Sequence, residues 1–254
     1  MKKYRIGKVY ISATNIEGIV KKVSEYIHKG ITGYICVSNM RTTVVAYQVK
    51  EYAQVMKSSL MNIPDGTPLV WCARLWGIKD AQRTCGPDVF SAILEQKGEE
   101  YRHFFLGDTN ETLNALRNKC VRDYGTNVVG VYSPPFLPVE KYDIASMAKM
   151  INESGATIVW LSLRAPKQDY LAAKLEPHLN GKVIIGVGAA FRFLLGEYKA
   201  PKGFLQKIGL AGLLCLRNTN FFKELWWYIK HACFLFLFLM QIVVWRIMGK
   251  KCDE

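Results

Sequence analysis

The chain has 254 residues, half of them apolar, and a formal net charge of +13. This composition supports a sizeable core and excludes global disorder; the length suits one large α/β domain or a domain with an appendage. The positive charge favours anionic partners: nucleic acid, phosphorylated substrates or an acidic membrane face.

The N-terminal MKKYRIGKVYIS has two lysines but no apolar stretch behind them, so no signal peptide is expected. The first expected strand is Tyr34–Ser38, ending at Asn39, followed by a helix over Met40–Ser58. Pro64-Asp65-Gly66 then forms a turn, and the apolar run Leu69–Cys72 reads as a second strand. An acid on a tight turn beside a strand is held in place and can face a pocket, although such a tripeptide also serves as a plain turn. Arg83 follows, with a helix expected over Asp88–Gln96. The remaining expected strands are His103–Leu106, Asn127–Tyr132, Thr157–Leu163 and Lys182–Val187, alternating with helices over Asn110–Tyr124, Val139–Asn152 and Lys167–His178. Strand–helix alternation predicts an α/β fold, a Rossmann-like, mostly parallel sheet flanked by helices.

Polar motifs collect after these strands. Asn39 follows the first, Gly107-Asp108-Thr109 the third, Ser133-Pro134-Pro135-Phe136 the fourth, and Arg164 to Asp169 the fifth; Gly186-Val187-Gly188 closes the sixth. Open α/β sheets bind ligands outside the carboxyl ends of their strands, so five turns point to one rim. The Gly107 turn leads into a helix whose free N–H groups suit a phosphate, though short loops of this kind often need a glycine anyway.

Residues 201–254 read as a helical appendage to an α/β domain over residues 1–200. From Lys199 onward there are nine Lys/Arg and three acids. Ala232–Trp245 is apolar except for Gln241 but spans 14 residues, fewer than the ~20 needed to cross a bilayer. Trp226, Trp227, Tyr228 and Trp245 flank it, and Lys230, Arg246, Lys250 and Lys251 suit anionic headgroups. This predicts a segment lying in a membrane surface; the alternative is a helix buried in a homo-oligomer. The seven cysteines are scattered and odd in number, which fits reduced thiols better than a disulfide framework or a zinc site. The four histidines have no ligand spacing, and no DxD clamp for a metal–diphosphate is present. No RNP motif, zinc finger or interleaved basic–aromatic groove supports a nucleic-acid partner.

Several of these motifs together resemble the WecG/TagA/CpsF glycosyltransferase family of bacterial cell-surface polysaccharide synthesis. They are Asn39, Pro64–Gly66, Arg83 before Gly86, Val129–Phe136, Pro166–Asp169, Val187–Phe191, Lys199–Pro201 and Gly209-Leu210, in the family's order. The resemblance implies inverting, metal-independent transfer of a sugar from a UDP-linked donor to a lipid-diphosphate-linked sugar at the cytoplasmic leaflet, with no cofactor. It implies Asp65 as general base, Asn39 and Gln168 as polar groups holding sugar or acceptor, and Arg83 steadying the diphosphate. Capping and structural ion pairing are the plainer uses of Asn39 and Arg83. Expected donor-binding positions are Gly107, Asp108, Tyr132, Pro134, Arg164, Lys167, Gly188 and Arg192. Arg217 and Lys223 are expected diphosphate contacts. The chain departs from the family's pattern where Ser162 and Arg164 replace glycines, Asp169 replaces Glu, and Arg192 replaces Asp. These departures suggest a reshaped donor pocket. They keep a second class open, a non-catalytic relative that binds a nucleotide sugar or scaffolds an assembly complex.

Overall fold

The computed structural model describes residues 1–98, 100–198 and 221–252. Two short strands, β1 (Lys3–Ile6) and β2 (Val9–Ser12), form an antiparallel hairpin ahead of helix α1 (Ile16–His28). The main sheet has six parallel strands: β3 (Gly33–Ser38), β4 (Met61–Pro64), β5 (Arg102–Gly107), β6 (Asn127–Tyr132), β7 (Ile158–Ser162) and β8 (Val183–Gly186). Their order is β4-β3-β8-β7-β5-β6, and every neighbouring pair is parallel. The expected Rossmann-like α/β architecture is therefore present.

Between the strands run α2 (Met40–Gln48), α3 (Lys50–Ser58), α4 (Thr67–Leu75), α5 (Gly86–Leu94), α6 (Asn110–Lys119), α7 (Ile144–Glu153) and α8 (Lys167–Leu175). The short α9 (Ala190–Leu194) follows β8, and α10 (Phe221–Ile247) is the last helix. Alternate strand residues feed opposite layers, as the two-residue period of a strand requires. Ile35, Val37, Phe105, Trp160 and Ile185 pack with α1, α5 and α6 on one face. Tyr34, Cys36, Phe104, Val159 and Leu161 pack with α7 and α8 on the other. His103 is buried in the sheet, where Trp160 Nε1 donates to its Nδ1 at 2.9 Å and burial pulls its pKa down to about 4.

Two expectations are corrected. Leu69–Cys72 is helical, part of α4: Pro68 sits in the first turn, where its missing N–H costs nothing, and Leu69, Cys72 and Ala73 bury one helical face. The strand of this region is β4, on the other side of the turn. It is an edge strand, a place where a proline such as Pro64 is tolerated. Met40–Ser58 is two helices, because Val49 takes an extended backbone (φ −113°, ψ 110°) and lets α3 turn Tyr52 and Met56 inward. The N-terminal hairpin and α1 carry no motif and were not expected.

Helix α10 packs one side on the hairpin, α2 and α4. Phe238 and Ile242 are fully buried there. Trp245 stacks on Trp76 with centroids 6.1 Å apart, Arg5 lies over its ring at 4.5 Å, and Arg246 Nη1 donates to the Leu75 carbonyl at 2.6 Å. The opposite side leaves Trp226, Phe236, Leu237, Met240, Val243, Val244 and Ile247 exposed. No helix among the described residues is long and apolar enough to cross a membrane. Because Phe238 fills the space above Gly7, Phe238→Ala should cost about 3–5 kcal/mol, read as a lowered urea midpoint with an unchanged slope.

Candidate active site

The parallel sheet brings all six strand-following loops to one rim. Two neighbouring groups form there.

The first lies at the ends of β3 and β4. Asp65 follows β4 directly, and its N–H donates to the Ser38 carbonyl at 2.6 Å. The correction to the strand assignment matters here, since it places this acid on the carboxyl edge rather than the amino edge. The neighbouring loop is pinned to the turn by Thr84, whose N–H and Oγ1 both donate to the Pro64 carbonyl, at 2.8 and 3.1 Å. That holds Arg83 beside Asp65. Burial pushes the Asp65 carboxyl up to about 6; Arg83 opposes the shift and Asp88 adds to it. Cys85 Sγ donates to Asp88 at 2.8 Å, leaving Arg83 as the nearby cation that acts on Asp65. Asn39 caps α2: its Oδ1 accepts the Thr42 N–H at 3.1 Å while Thr42 Oγ1 accepts its own N–H at 2.9 Å. The plainer use of Asn39 is thus fulfilled.

The second group surrounds a cavity of about 680 Å³ at the ends of β5, β6, β7 and β8. Asp108, Pro134, Arg164, Lys167, Gly188 and Arg192 all line it. Gly107 does not: it ends β5 at φ +114°, and a side chain there would lie 2.6 Å from the Ser162 carbonyl oxygen. Tyr132 lines a smaller adjoining cavity of about 200 Å³, joined to the first through Pro135 and Tyr142. The two non-glycine residues with positive φ among those described are Asp108 and Arg164, both at 59° and both on this cavity. Such backbone costs of order 1 kcal/mol and concentrates at functional sites.

The cations differ in availability. Arg192 is tied to Asp108 by two bonds, Nη2–Oδ1 at 2.6 Å and Nε–Oδ2 at 2.9 Å, and to Glu197 at 3.2 Å. Burial alone would raise the Asp108 carboxyl, but Arg192 and the Thr109 N–H outweigh it and hold it below the usual range. Lys167 sits over the Phe136 and Tyr142 rings at 5.3 and 4.9 Å. Arg164 is exposed and projects from the β7 end. Phe136, at the rim, is fully exposed.

The two groups adjoin. Gly86, at the start of α5, packs so closely on β8 that a side chain would lie 2.6 Å from the Val187 carbonyl oxygen. By strand spacing the β4 end is two positions, about 10 Å, from the β8 end. Gln168 is only 2% exposed, and its Oε1 accepts the Gly188 N–H at 3.0 Å. Ser162, one of the glycine replacements, donates from Oγ to the Gly188 carbonyl at 2.6 Å. Arg217 lies outside the described residues, as does the Lys223 side chain. Sequence reasoning missed Tyr142, Ser162 as a hydrogen-bond donor, and the Asp88 charge. Tyr142 follows the Ser133–Phe136 motif by six residues with no pattern to mark it. Among the described residues no group of three or more His, Cys, Asp or Glu side chains is placed to hold a metal.

A Rossmann-like sheet with a cationic cavity and a carboxyl of raised pKa at one rim is a ligand-binding arrangement of open α/β proteins. The sequence pattern of the Glycosyl transferase WecG/TagA/CpsF family matches residues 4–250; the chain belongs to that family and is a glycosyltransferase. It is 24% identical over 186 residues to the N-acetylglucosaminyldiphosphoundecaprenol N-acetyl-beta-D-mannosaminyltransferase of Bacillus subtilis (strain 168), covering 73% of this chain and 71% of that protein. It is likewise 24% identical, over 183 residues, to the enzyme of the same name from Bacillus spizizenii, covering 71% of this chain and 70% of that one.

The Asp108–Arg192 pair should be structural as well as cavity-lining. Arg192→Ala leaves a mostly buried carboxylate unpaired and should lower stability by about 1–3 kcal/mol in urea unfolding. The exchanged double variant Asp108→Arg/Arg192→Asp should recover part of it, and a purely additive loss would show the pair to be idle.

Proposed function

We propose that the protein moves a sugar from a UDP-linked donor to a polyprenyl-diphosphate-linked sugar in cell-surface polymer synthesis, inverting the anomeric centre. The observation that carries this reading is Asp65: a carboxyl at the strand-end rim, raised to about 6, beside Arg83 and adjoining a cationic cavity. The lipid-diphosphate acceptor in the names of the Bacillus relatives supports the same acceptor class.

In this mechanism Asp65 takes the proton of the acceptor hydroxyl. The freed oxygen attacks the anomeric carbon as the bond to the diphosphate oxygen breaks, and UDP departs from the opposite face. A base with pKa near 6 is ionised at neutral pH yet basic enough to accept that proton as the bond forms. The charge developing on the diphosphate is met by Arg83, Arg164 and Lys167, and by the N-terminal N–H groups of α6. Arg192, already neutralised by Asp108, shapes the pocket rather than carrying that charge. Gly188 forms part of the cavity wall against which the donor lies. Arg217 and Lys223 remain proposed diphosphate contacts.

The exposed side of α10 is proposed to lie on the membrane that carries the acceptor. Its apolar side chains recur every three or four residues from Phe236 to Ile247, with Lys250 and Lys251 beyond. Attachment there would place the protein peripherally on the inner face of the plasma membrane; a second copy of the chain is the alternative partner for this surface.

Asp65→Asn should abolish transfer, by at least 10²-fold, while UDP binding survives. In the wild type, kcat should rise with pH through about 6. The sign for stability is opposite: a folded-state pKa above the unfolded one favours the protonated fold, so stability is lost as pH rises towards about 6. At pH 8 Asp65→Asn should therefore melt no lower than the wild type. Comparable turnover by this variant would remove Asp65 from the base role. For the membrane surface, Phe236→Glu/Ile247→Glu should lose binding to anionic vesicles without unfolding. Deleting residues 223–254 is a poorer test, because it also strips Phe238 and Ile242 from the core. Retained vesicle binding with loss of a dimer would favour the second-copy alternative.

A further inference from the structure

Beneath the cavity wall lies a buried polar chain that no step above uses. Asp169, in the first turn of α8, is 1% exposed. Tyr52 Oη from α3 donates to its Oδ2 at 2.5 Å. The Cys36 thiol from β3 and the side-chain amide of Gln168 lie near enough to favour its charged form. Among the described residues, the titratable groups that interact with it are Tyr52 on α3 and Tyr34 and Cys36 on β3, all kept neutral by burial. None of them is a cation. A carboxylate buried without a countercharge is costly, and a core could replace it with an apolar residue. Burial accordingly raises Asp169 to about 7.

What the carboxylate does is visible one residue earlier. The Gln168 amide has an acceptor end and a donor end. The acceptor end takes the Gly188 N–H, and the donor end faces Asp169 and the bare backbone of Gly186, where a side chain would lie 2.7 Å from Gln168 Nε2. Rotating the amide by half a turn would set its NH2 against the Gly188 N–H, donor against donor. An acceptor at position 169 prevents that. Gly188, at φ +58°, is then gripped on both sides, its N–H by Gln168 and its carbonyl by Ser162. It lines the cavity, and Ala189 and Arg192 follow it there.

We propose that Asp169 is a positioning residue: held by Tyr52, it fixes the amide of Gln168 and through it the Gly188 turn that forms the donor side of the cavity. This rests on the reading of the cavity as the nucleotide-sugar site. Asp169 never meets the substrate; it sets the wall that does. Gln168 likewise acts through Gly188 rather than by touching sugar.

The test uses the full chain and UDP as probe, with affinity measured by titration calorimetry and folding by melting temperature. Asp169→Asn and Tyr52→Phe keep shape and volume. Asparagine adds a donor where only acceptors serve, and phenylalanine releases the carboxylate. Each should weaken UDP by roughly 3- to 10-fold, the worth of one misplaced hydrogen bond. Asp169→Asn should at the same time melt no lower than the wild type at pH 8, since it removes a charge the fold disfavours. A purely structural role would instead move melting and binding together. The wild-type advantage should also shrink from pH 8 to pH 6 as Asp169 gains a proton. The phosphate titration of UDP, which falls in the same range, cancels in the ratio to the variant. Unchanged UDP affinity in both folded variants, with Lys167→Ala weakening it, would overturn the proposal and leave the donor site standing. If Lys167→Ala and Arg164→Ala also bind UDP as the wild type does, the donor-site reading itself fails.

Discussion

Parallel strand pairing is the constraint on which the rest depends. Two parallel neighbours cannot be joined by a tight turn, so each strand is followed by a crossover that returns to the same starting edge. Every strand therefore ends on the same rim, and every loop leaving that rim is free of the sheet's hydrogen bonding. Six loops from distant parts of the chain meet there. Asp65 and Arg83 come from the β4 side, Asp108 from β5, Pro134 from the β6 loop, Arg164 and Lys167 from β7, and Gly188 from β8. The glycines at the crowded points, Gly86 against Val187 and Gly107 against Ser162, let neighbouring loops come within contact distance.

Charge on this rim is divided by burial. Where a cation and an acid lie together, as Asp108 and Arg192 do, the pair braces two loops and contributes little net field. Where acids are buried with too little positive charge, as at Asp65 and Asp169, their protons are held more tightly than in water. The first has an exposed side and a neighbouring cation, which suits proton transfer. The second is sealed inside, which suits the orientation of a neighbour. Two carboxyls shifted by the same cause thus fit different tasks because Asp65 is only partly buried and Asp169 is sealed. Among the described residues no acid pairs with Arg164 or Lys167, which leaves their charge for a ligand.

The last helix shows the same division between its two sides. One side closes the core over the N-terminal hairpin, where Phe238 packs on Tyr47 and Trp245 on Trp76. A two-stranded hairpin is barely stable by itself, so this covering matters to β1 and β2 as much as to α10. The other side is apolar and uncovered. A single helix can serve both needs because its side chains project all round the axis.

The amino-acid sequence by itself determined most of the sheet, since β3, β5, β6, β7 and β8 are short runs rich in Val, Ile and aromatic residues, separated by helical periods and Gly/Pro turns. It also marked the strand-end motifs, Asp108 and Lys167 among them, because turn chemistry is local, while it set Asp65 on a turn ahead of a strand. It misplaced the strand beside Asp65, because a four-residue apolar run such as Leu69–Cys72 fits a buried strand or a helix face equally well, and only the packing of Leu69, Cys72 and Ala73 together chooses. Tertiary structure alone decided the partners. Asp108 and Arg192 are 84 residues apart, Tyr52 and Asp169 are 117 apart, and nothing at either position names the other. Hydrogen bonds and ion pairs of this kind depend on distances that exist only once the strands have taken their order. A sequence can therefore announce that a residue is polar and sits in a turn, while its ionisation and its role wait on what the fold sets against it.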